Sequence, residues 1–216
     1  MAVVYSQNGV IVKRKSKGNS ITALYNASTN SEHYLTISNL NIRFYDRIEF
    51  IAIPGTGQGN FKITSTSSGA SSYNGIGLNS MNYLDLGGYN YGSYGGTVTG
   101  VINGFVNKIS LKIDSIKTNI TVLNAIQSIN SDNEATYADY VMDELKIFKG
   151  RSSYNCGSFS FIGLKVFSDT GIIKYDFRPI IKDGISGVIE NINGIFTPVP
   201  FTDDSMRVIE IMDYLS

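Results

Sequence analysis

The residues best suited to bind a ligand form a tyrosine cluster within a glycine-rich stretch. They are Tyr83, Tyr89, Asn90, Tyr91 and Tyr94. Tyrosine rings combine flat apolar faces with polar tips, and asparagine adds an amide, so this set suits a sugar or a protein surface. The same rings can instead pack over the edge of the fold. Contact with another protein is at least as well supported here as contact with a glycan.

A second candidate site is the polar run Asp132, Asn133 and Glu134. Its oxygen atoms are the kind of ligand that Ca²⁺ prefers. Asp and Asn are also ordinary turn formers, so a polar turn without metal is the favoured alternative. Apart from this possible Ca²⁺, no cofactor is expected.

Catalytic chemistry has weaker support. A retaining glycosidase needs two carboxylates flanking one bond, but Glu49 stands alone among apolar residues. Asp143 and Glu144 are adjacent, so in a strand they point to opposite faces. The single histidine, His33, has no Ser, Cys or Asp partner in a local motif. We therefore expect no enzymatic activity.

Composition excludes several classes of protein. The 216 residues include 18 basic and 18 acidic side chains, so no overall field attracts nucleic acid or an anionic membrane. No apolar run approaches the roughly 18 residues of a membrane span, and the first residues lack the pattern of a signal peptide. The single cysteine excludes an intrachain disulfide. We expect synthesis in a cytoplasm, no nucleic-acid partner and no membrane span.

Alternation of apolar and polar residues predicts a protein made of strands. Its clearest instance is residues 109–114, which predict a hairpin with residues 119–123. Further strands are predicted at residues 21–25, 33–37, 43–53, 61–66, 97–106, 144–148, 159–167 and 172–177. The stretch 55–94 is interpreted as strands joined by long loops.

Three local signals modify this pattern. Pro179 predicts the end of the strand that begins near residue 172, because proline cannot donate a ladder hydrogen bond. The acidic residues and serine at 203–205 predict a short helix from Met206. Residues 1–30, with a basic cluster at 13–17, predict an arm or hairpin attached to the main fold.

The C-terminal half carries a family resemblance, in FIGLKVF at residues 161–167, GIIKYDFRP at 171–179 and GISGVIENINGIFT at 184–197. Through these segments residues 31–197 resemble the concanavalin A-like lectin and glucanase superfamily. Within that superfamily, they resemble the LamG-like form that is found in phage structural proteins and in gut Bacteroidetes surface proteins. The residues at 188–190 depart from the family's usual Leu-Tyr-Asp. The resemblance implies an all-β, antiparallel two-sheet sandwich, a concanavalin-like jelly roll. It would be preceded by the arm at 1–30 and followed by a tail at 198–216.

The function expected from this resemblance is that of a non-enzymatic structural protein of a phage virion. It would act as head decoration, head fibre or tail-associated component, for assembly and for glycan attachment. Expected partners are other virion proteins, further copies of the chain and a surface glycan. The alternatives are a bacterial carbohydrate-binding lectin or adhesin and, with less support, a glycoside hydrolase.

Overall fold

A computed structural model provides the fold. It describes residues 2–5, 11–14, 20–28, 32–43, 45–53, 61–64, 75–78, 83–88, 91–97, 104–113, 117–124, 126–134, 141–149 and 159–212. Over these ranges the protein is all-β, with no helix.

The strands, in chain order, are β1 (Ala2–Tyr5), β2 (Ile11–Arg14), β3 (Ser20–Asn26), β4 (Leu35–Ile37), β5 (Arg47–Ile53), β6 (Phe61–Thr64), β7 (Gly75–Leu78), β8 (Tyr83–Gly88), β9 (Tyr91–Thr97), β10 (Asn107–Ile113), β11 (Lys117–Asn124), β12 (Ser128–Glu134), β13 (Glu144–Ile147), β14 (Phe159–Phe167), β15 (Ile173–Lys182), β16 (Ile185–Glu190), β17 (Ile195–Pro198) and β18 (Met206–Met212).

Antiparallel pairing joins these strands into two main sheets. The large sheet runs β12-β11-β10-β5-β14-β15-β16-β17, and β3 pairs with both β14 and β18. The small sheet runs β4-β13-β6-β7-β8-β9. A separate hairpin pairs β1 with β2.

One hydrophobic core contains residues from both main sheets, as in a β-sandwich. From β5 the large sheet contributes Ile48, Phe50 and Ala52, and from β13 the small sheet contributes Leu145 and Ile147. All five side chains are at most 2% exposed. Burial of this apolar surface is the main stabilising contribution to the fold, and it fixes which face of each sheet points outward.

The predicted hairpin at residues 109–123 is confirmed, because β10 and β11 pair with Ile109 opposite Val122. The predicted strand at 97–106 is wrong over its last residues. There β10 begins only at Asn107, and residues 104–106 form a turn in which Gly104 has φ +78°. Residues 98–103 lie outside the described part of the chain.

The predicted C-terminal helix is also wrong, because Met206–Met212 form strand β18. This strand pairs with β3 over its whole length, with Val208 opposite Leu24. The Asp203 carboxylate accepts hydrogen bonds from the backbone N–H and hydroxyl of Ser205. The side chains that suggested a helix cap therefore order a turn before a strand.

The prediction that this strand ends at Pro179 is wrong. Strand β15 continues through Pro179 to Lys182. In β15 Pro179 lies opposite Val188 of β16. Its carbonyl accepts a hydrogen bond from Thr22 Oγ1 at 3.2 Å, so it points away from β16. The N and C=O of one strand residue point to the same edge of the strand, so the Pro179 nitrogen also points away from β16. Strand β16 therefore needs no hydrogen-bond donor from Pro179.

The N-terminal segment 1–30 contains two different structures. Strands β1 and β2 pair only with each other among the described strands. Strand β3 instead belongs to the large sheet, and Ala23 and Leu24 within it are fully buried. Strand β3, within the segment 1–30, is thus part of the large sheet, where it pairs with β14 and β18.

The register of β18 makes its strand structure testable by proline substitution. The N–H of Val208 bonds to Ser186 Oγ, on the side away from β3, so the N–H groups of Arg207 and Ile209 face β3. We expect Ile209→Pro to lower the free energy of unfolding by about 1–3 kcal/mol more than Ile209→Ala.

Glu210→Pro is the control, because the N–H of Glu210 faces away from β3. Denaturant unfolding of the three variants measures the difference. Equal destabilisation by the prolines at 209 and 210 is the result expected of a helix interior, and it would contradict the strand.

Candidate functional site

The candidate site lies on the outward face of the large sheet, around its central strand β5. Burial along β5 alternates strictly, with Ile48 and Phe50 in the core. The alternate residues Arg47 and Glu49 therefore lie on the opposite, outward face. The same face also carries Ile51 and Ile53, which pack against a second, smaller apolar cluster of Ala23, Val106 and Ile162.

Strand register aligns charged residues across this face. Glu49 of β5 lies opposite Ser110 of β10 on one side and Lys165 of β14 on the other. Lys165 in turn lies opposite Asp176 of β15. We call this row the charge ladder, and we include in it the flanking cations Arg47, Lys108 and Arg178.

Two cations hold the carboxylate of Glu49. Lys108 Nζ lies 3.0 Å from its Oε2, and Arg47 Nη1 bonds to its Oε1. The Arg47 guanidinium also lies 3.9 Å from the ring centroid of Phe167. Burial alone would raise the pKa of Glu49, but the hydrogen bonds and charges of Lys108 and Arg47 keep this pKa below its ordinary value of 4.5.

The other end of the charge ladder is less completely paired. Arg178 Nε donates to Asp176 Oδ1 at 2.9 Å, whereas Lys165 Nζ lies 3.8 Å from Asp176 Oδ2, beyond hydrogen-bond distance. Four basic and two acidic side chains make up the ladder. The ladder therefore carries an excess of two positive charges on a chain whose overall charge is zero.

A shallow cleft of about 180 Å³ opens within the charge ladder. Its lining includes Glu49, Ile51, Lys108, Gly163, Lys165 and Arg178. A Cβ at position 163 would lie 3.1 Å from Arg178 Nη1 and 3.2 Å from the carbonyl oxygen of Phe177. Glycine at this position lets the Arg178 side chain lie across strand β14.

The carboxylates of this face do not match the spacing of a retaining glycosidase. Glu49 and Asp176 are two strands apart, a backbone separation of about 9.5 Å, and Lys165 lies between them. A retaining pair needs carboxyl groups about 5–5.5 Å apart, and a general acid needs a raised pKa. Glu144 is no alternative partner, because it lies on the small sheet and pairs with Lys146 at 2.8 Å.

The structure describes three residues of the tyrosine cluster. Tyr83 lies in β8, and Tyr91 and Tyr94 lie in β9, the edge strand of the small sheet. Tyrosine favours strands, and these two strands pair antiparallel with Leu86 opposite Tyr94. Tyr89 and Asn90 lie outside the described residues. The ligand-binding role of the cluster stays a prediction, on a different sheet from the charge ladder.

The candidate calcium ligands Asp132, Asn133 and Glu134 are not in a turn. They form the end of strand β12, paired with residues 117–119 of β11. Within the described ranges, no group of three or more His, Cys, Asp or Glu side chains could hold a metal ion.

Long-range folding gives His33 the partners that no local motif provides. Its Nδ1 lies 3.0 Å from Ser205 Oγ, and its ring stacks on Phe201 with centroids 4.2 Å apart. The Ser205 hydroxyl donates to Asp203 Oδ1 at 2.6 Å, so its proton points to the carboxylate and not to the imidazole. These contacts connect the β3–β4 segment with the start of β18. They are better suited to holding these two segments together than to activating Ser205 as a nucleophile.

Sequence reasoning missed the charge ladder because its members are far apart in the chain. Glu49, Lys108, Lys165 and Asp176 meet only through the pairing of β10, β5, β14 and β15. The available signal was alternation within β5, which assigns Arg47 and Glu49 to one face. Alternation does not reveal which strands become neighbours.

Comparison with protein-family models and with curated proteins found no match to this chain. In the described part of the structure, no helix has the length and apolar character needed to cross a membrane.

The ion pairs of Glu49 predict a pH-dependent contribution to stability. Because folding lowers the pKa of Glu49, its contribution is complete above 4.5 and is lost as the pH falls through the lower folded value. We expect Glu49→Gln to lower the free energy of unfolding by about 1 kcal/mol at pH 7. The difference from the unmodified protein should shrink as the pH is lowered below 4.5.

Denaturant unfolding at a series of pH values measures this difference. Glu210→Gln is the control, since Glu210 is exposed and its carboxylate accepts a 3.2 Å hydrogen bond from Ser20. A Glu49→Gln variant as stable as the unmodified protein at pH 7 would show that the ladder contributes nothing to the fold.

Proposed function

We propose that this protein is a non-enzymatic structural protein of a phage virion. Its β-sandwich, with the topology of a concanavalin-like jelly roll, displays an outward recognition face. The position on the virion would be head decoration, head fibre or tail-associated component. Its partners would be other virion proteins, further copies of the chain and a surface glycan.

The observation that carries the non-enzymatic part of this proposal is the state of Glu49. This carboxylate lies at the centre of the outward face and is held ionised between Arg47 and Lys108. An ionised, doubly paired carboxylate is suited to fix neighbouring cations and to accept hydrogen bonds from a ligand. It is poorly suited to donate a proton to a leaving group.

The virion part of the proposal is supported by the sequence resemblance over residues 31–197.

The proposal predicts that the protein is a component of purified phage particles. Mass spectrometry of virions purified by density gradient should detect it at a constant ratio to the major capsid protein across preparations. A host cytoplasmic protein of similar abundance provides the control for contamination. Detection only at the level of that control would contradict a virion role.

A bacterial lectin or adhesin is the second candidate, favoured by the same outward face with its open cleft. The two candidate functions differ in the location that they predict. A lectin of this kind should be found on the surface of bacterial cells that carry no phage particles. Release of reducing ends from a polysaccharide, abolished by Glu49→Gln, would instead establish a hydrolase and overturn the non-enzymatic proposal.

A further inference from the structure

The cleft in the charge ladder contains two cationic groups with unused hydrogen-bond donors. Arg178 gives its Nε–H to Asp176, and no described residue accepts a hydrogen bond from its Nη atoms. Lys165 Nζ has no acceptor within hydrogen-bond distance among the described residues, its nearest carboxylate oxygen being 3.8 Å away. Both side chains line the cleft and are about one-third exposed.

The Arg178 side chain is held in place for binding. Asp176 fixes one edge of its guanidinium, and the missing side chain at Gly163 leaves room for it against the backbone of β14. A guanidinium held in this way presents parallel N–H groups, which match the two oxygen atoms of a carboxylate. Little side-chain entropy remains to be lost when an anion binds, because the group is already positioned.

The remainder of the cleft restricts which anion fits. The acidic side chains Glu49 and Asp176 lie beside the cations, so a densely charged polyanion such as nucleic acid would meet repulsion as well as attraction. The same carboxylates can accept hydrogen bonds from hydroxyl groups. Ile51 offers an apolar contact surface at the cleft.

The size of the cleft points to a small group. At about 180 Å³ it lies below the range of about 300–1,000 Å³ that is usual for drug-sized ligands. It therefore suits a single ring at the surface, with the rest of a chain continuing into solvent. A hydroxyl-rich ring that bears one carboxylate matches the donors, the acceptors and the apolar surface together.

We propose that this cleft binds the carboxylate-bearing sugar residue of an acidic saccharide, with Lys165 and Arg178 holding the carboxylate. The proposal rests on the non-enzymatic recognition function proposed above and names the ligand class of its outward face. It does not depend on Tyr83, Tyr91 and Tyr94, which lie in the small sheet.

Isothermal titration calorimetry with trigalacturonate as the probe tests this proposal, with neutral galactotriose in parallel. We expect binding of trigalacturonate only, weakened by added salt as charge screening requires. Arg178→Gln and Lys165→Gln should each reduce affinity about tenfold or more, because each removes a charge-assisted hydrogen bond. Gly163→Ala should also reduce affinity without changing any charge, by crowding Arg178.

Lys182→Gln is the matched control, since it removes one positive charge from the end of β15, outside the cleft. Thermal unfolding of each variant separates loss of binding from loss of the fold. Trigalacturonate affinity that is unchanged in both cleft variants would overturn the proposal.

The remaining outcomes are also decisive. Equal binding of galactotriose would overturn the acidic ligand class and leave glycan recognition standing. Binding of inorganic phosphate or duplex DNA at the same residues, without trigalacturonate, would overturn the saccharide. Absence of binding to both trigalacturonate and galactotriose would overturn this inference, whereas detection in virions tests the structural role independently.

Discussion

The alternation of side chains along strand β5 is the constraint on which the rest of this structure depends. Ile48, Phe50 and Ala52 enter the core that both sheets share, and each is at most 2% exposed. The burial of these side chains fixes the register of β5, because a shift by one residue would bury Arg47 and Glu49 and expose Phe50. The free energy that fixes the core thus also fixes a charged outward face.

The charge ladder follows from that register and connects the fold with the proposed function. Once β5 is fixed, pairing with β10 and β14 brings Lys108 and Lys165 beside Glu49. Glu49 is then surrounded by cations, which holds it ionised. At the Arg178 end of the ladder two cations share the one carboxylate of Asp176, and there an acidic ligand would supply the missing acceptors.

The sequence predicted elements that depend on local pattern. The hairpin of β10 and β11 was predictable because strict alternation in both strands and a short polar connection occur within one short stretch. The C-terminal strand was not predictable in this way. The acidic residues and serine at 203–205, just before it, are local helix signals, whereas the pairing that decides its structure is with β3, about 180 residues earlier in the chain.

The same limit applies to the candidate site. The sequence shows that Pro179 lacks a hydrogen-bond donor, which predicted a strand end. It does not show which edge of the strand the Pro179 nitrogen faces, and that edge is the one away from β16. Prediction of the charge ladder requires the order of four strands. The role of Gly163 becomes evident only in the structure, where it lies beside Arg178. Residue type indicated what these side chains can do, and sheet topology decided which of them meet.

The pKa of the Glu49 carboxyl group is the most direct test of this account. It can be followed by NMR titration of the isotopically labelled protein, with the Glu49 signal assigned from its loss in Glu49→Gln. The account predicts a pKa below the ordinary value of 4.5, because Lys108 and Arg47 stabilise the ionised form. A value at or above 4.5 would contradict it, since Lys108 and Arg47 would then not stabilise the ionised form and the charge ladder would not be formed.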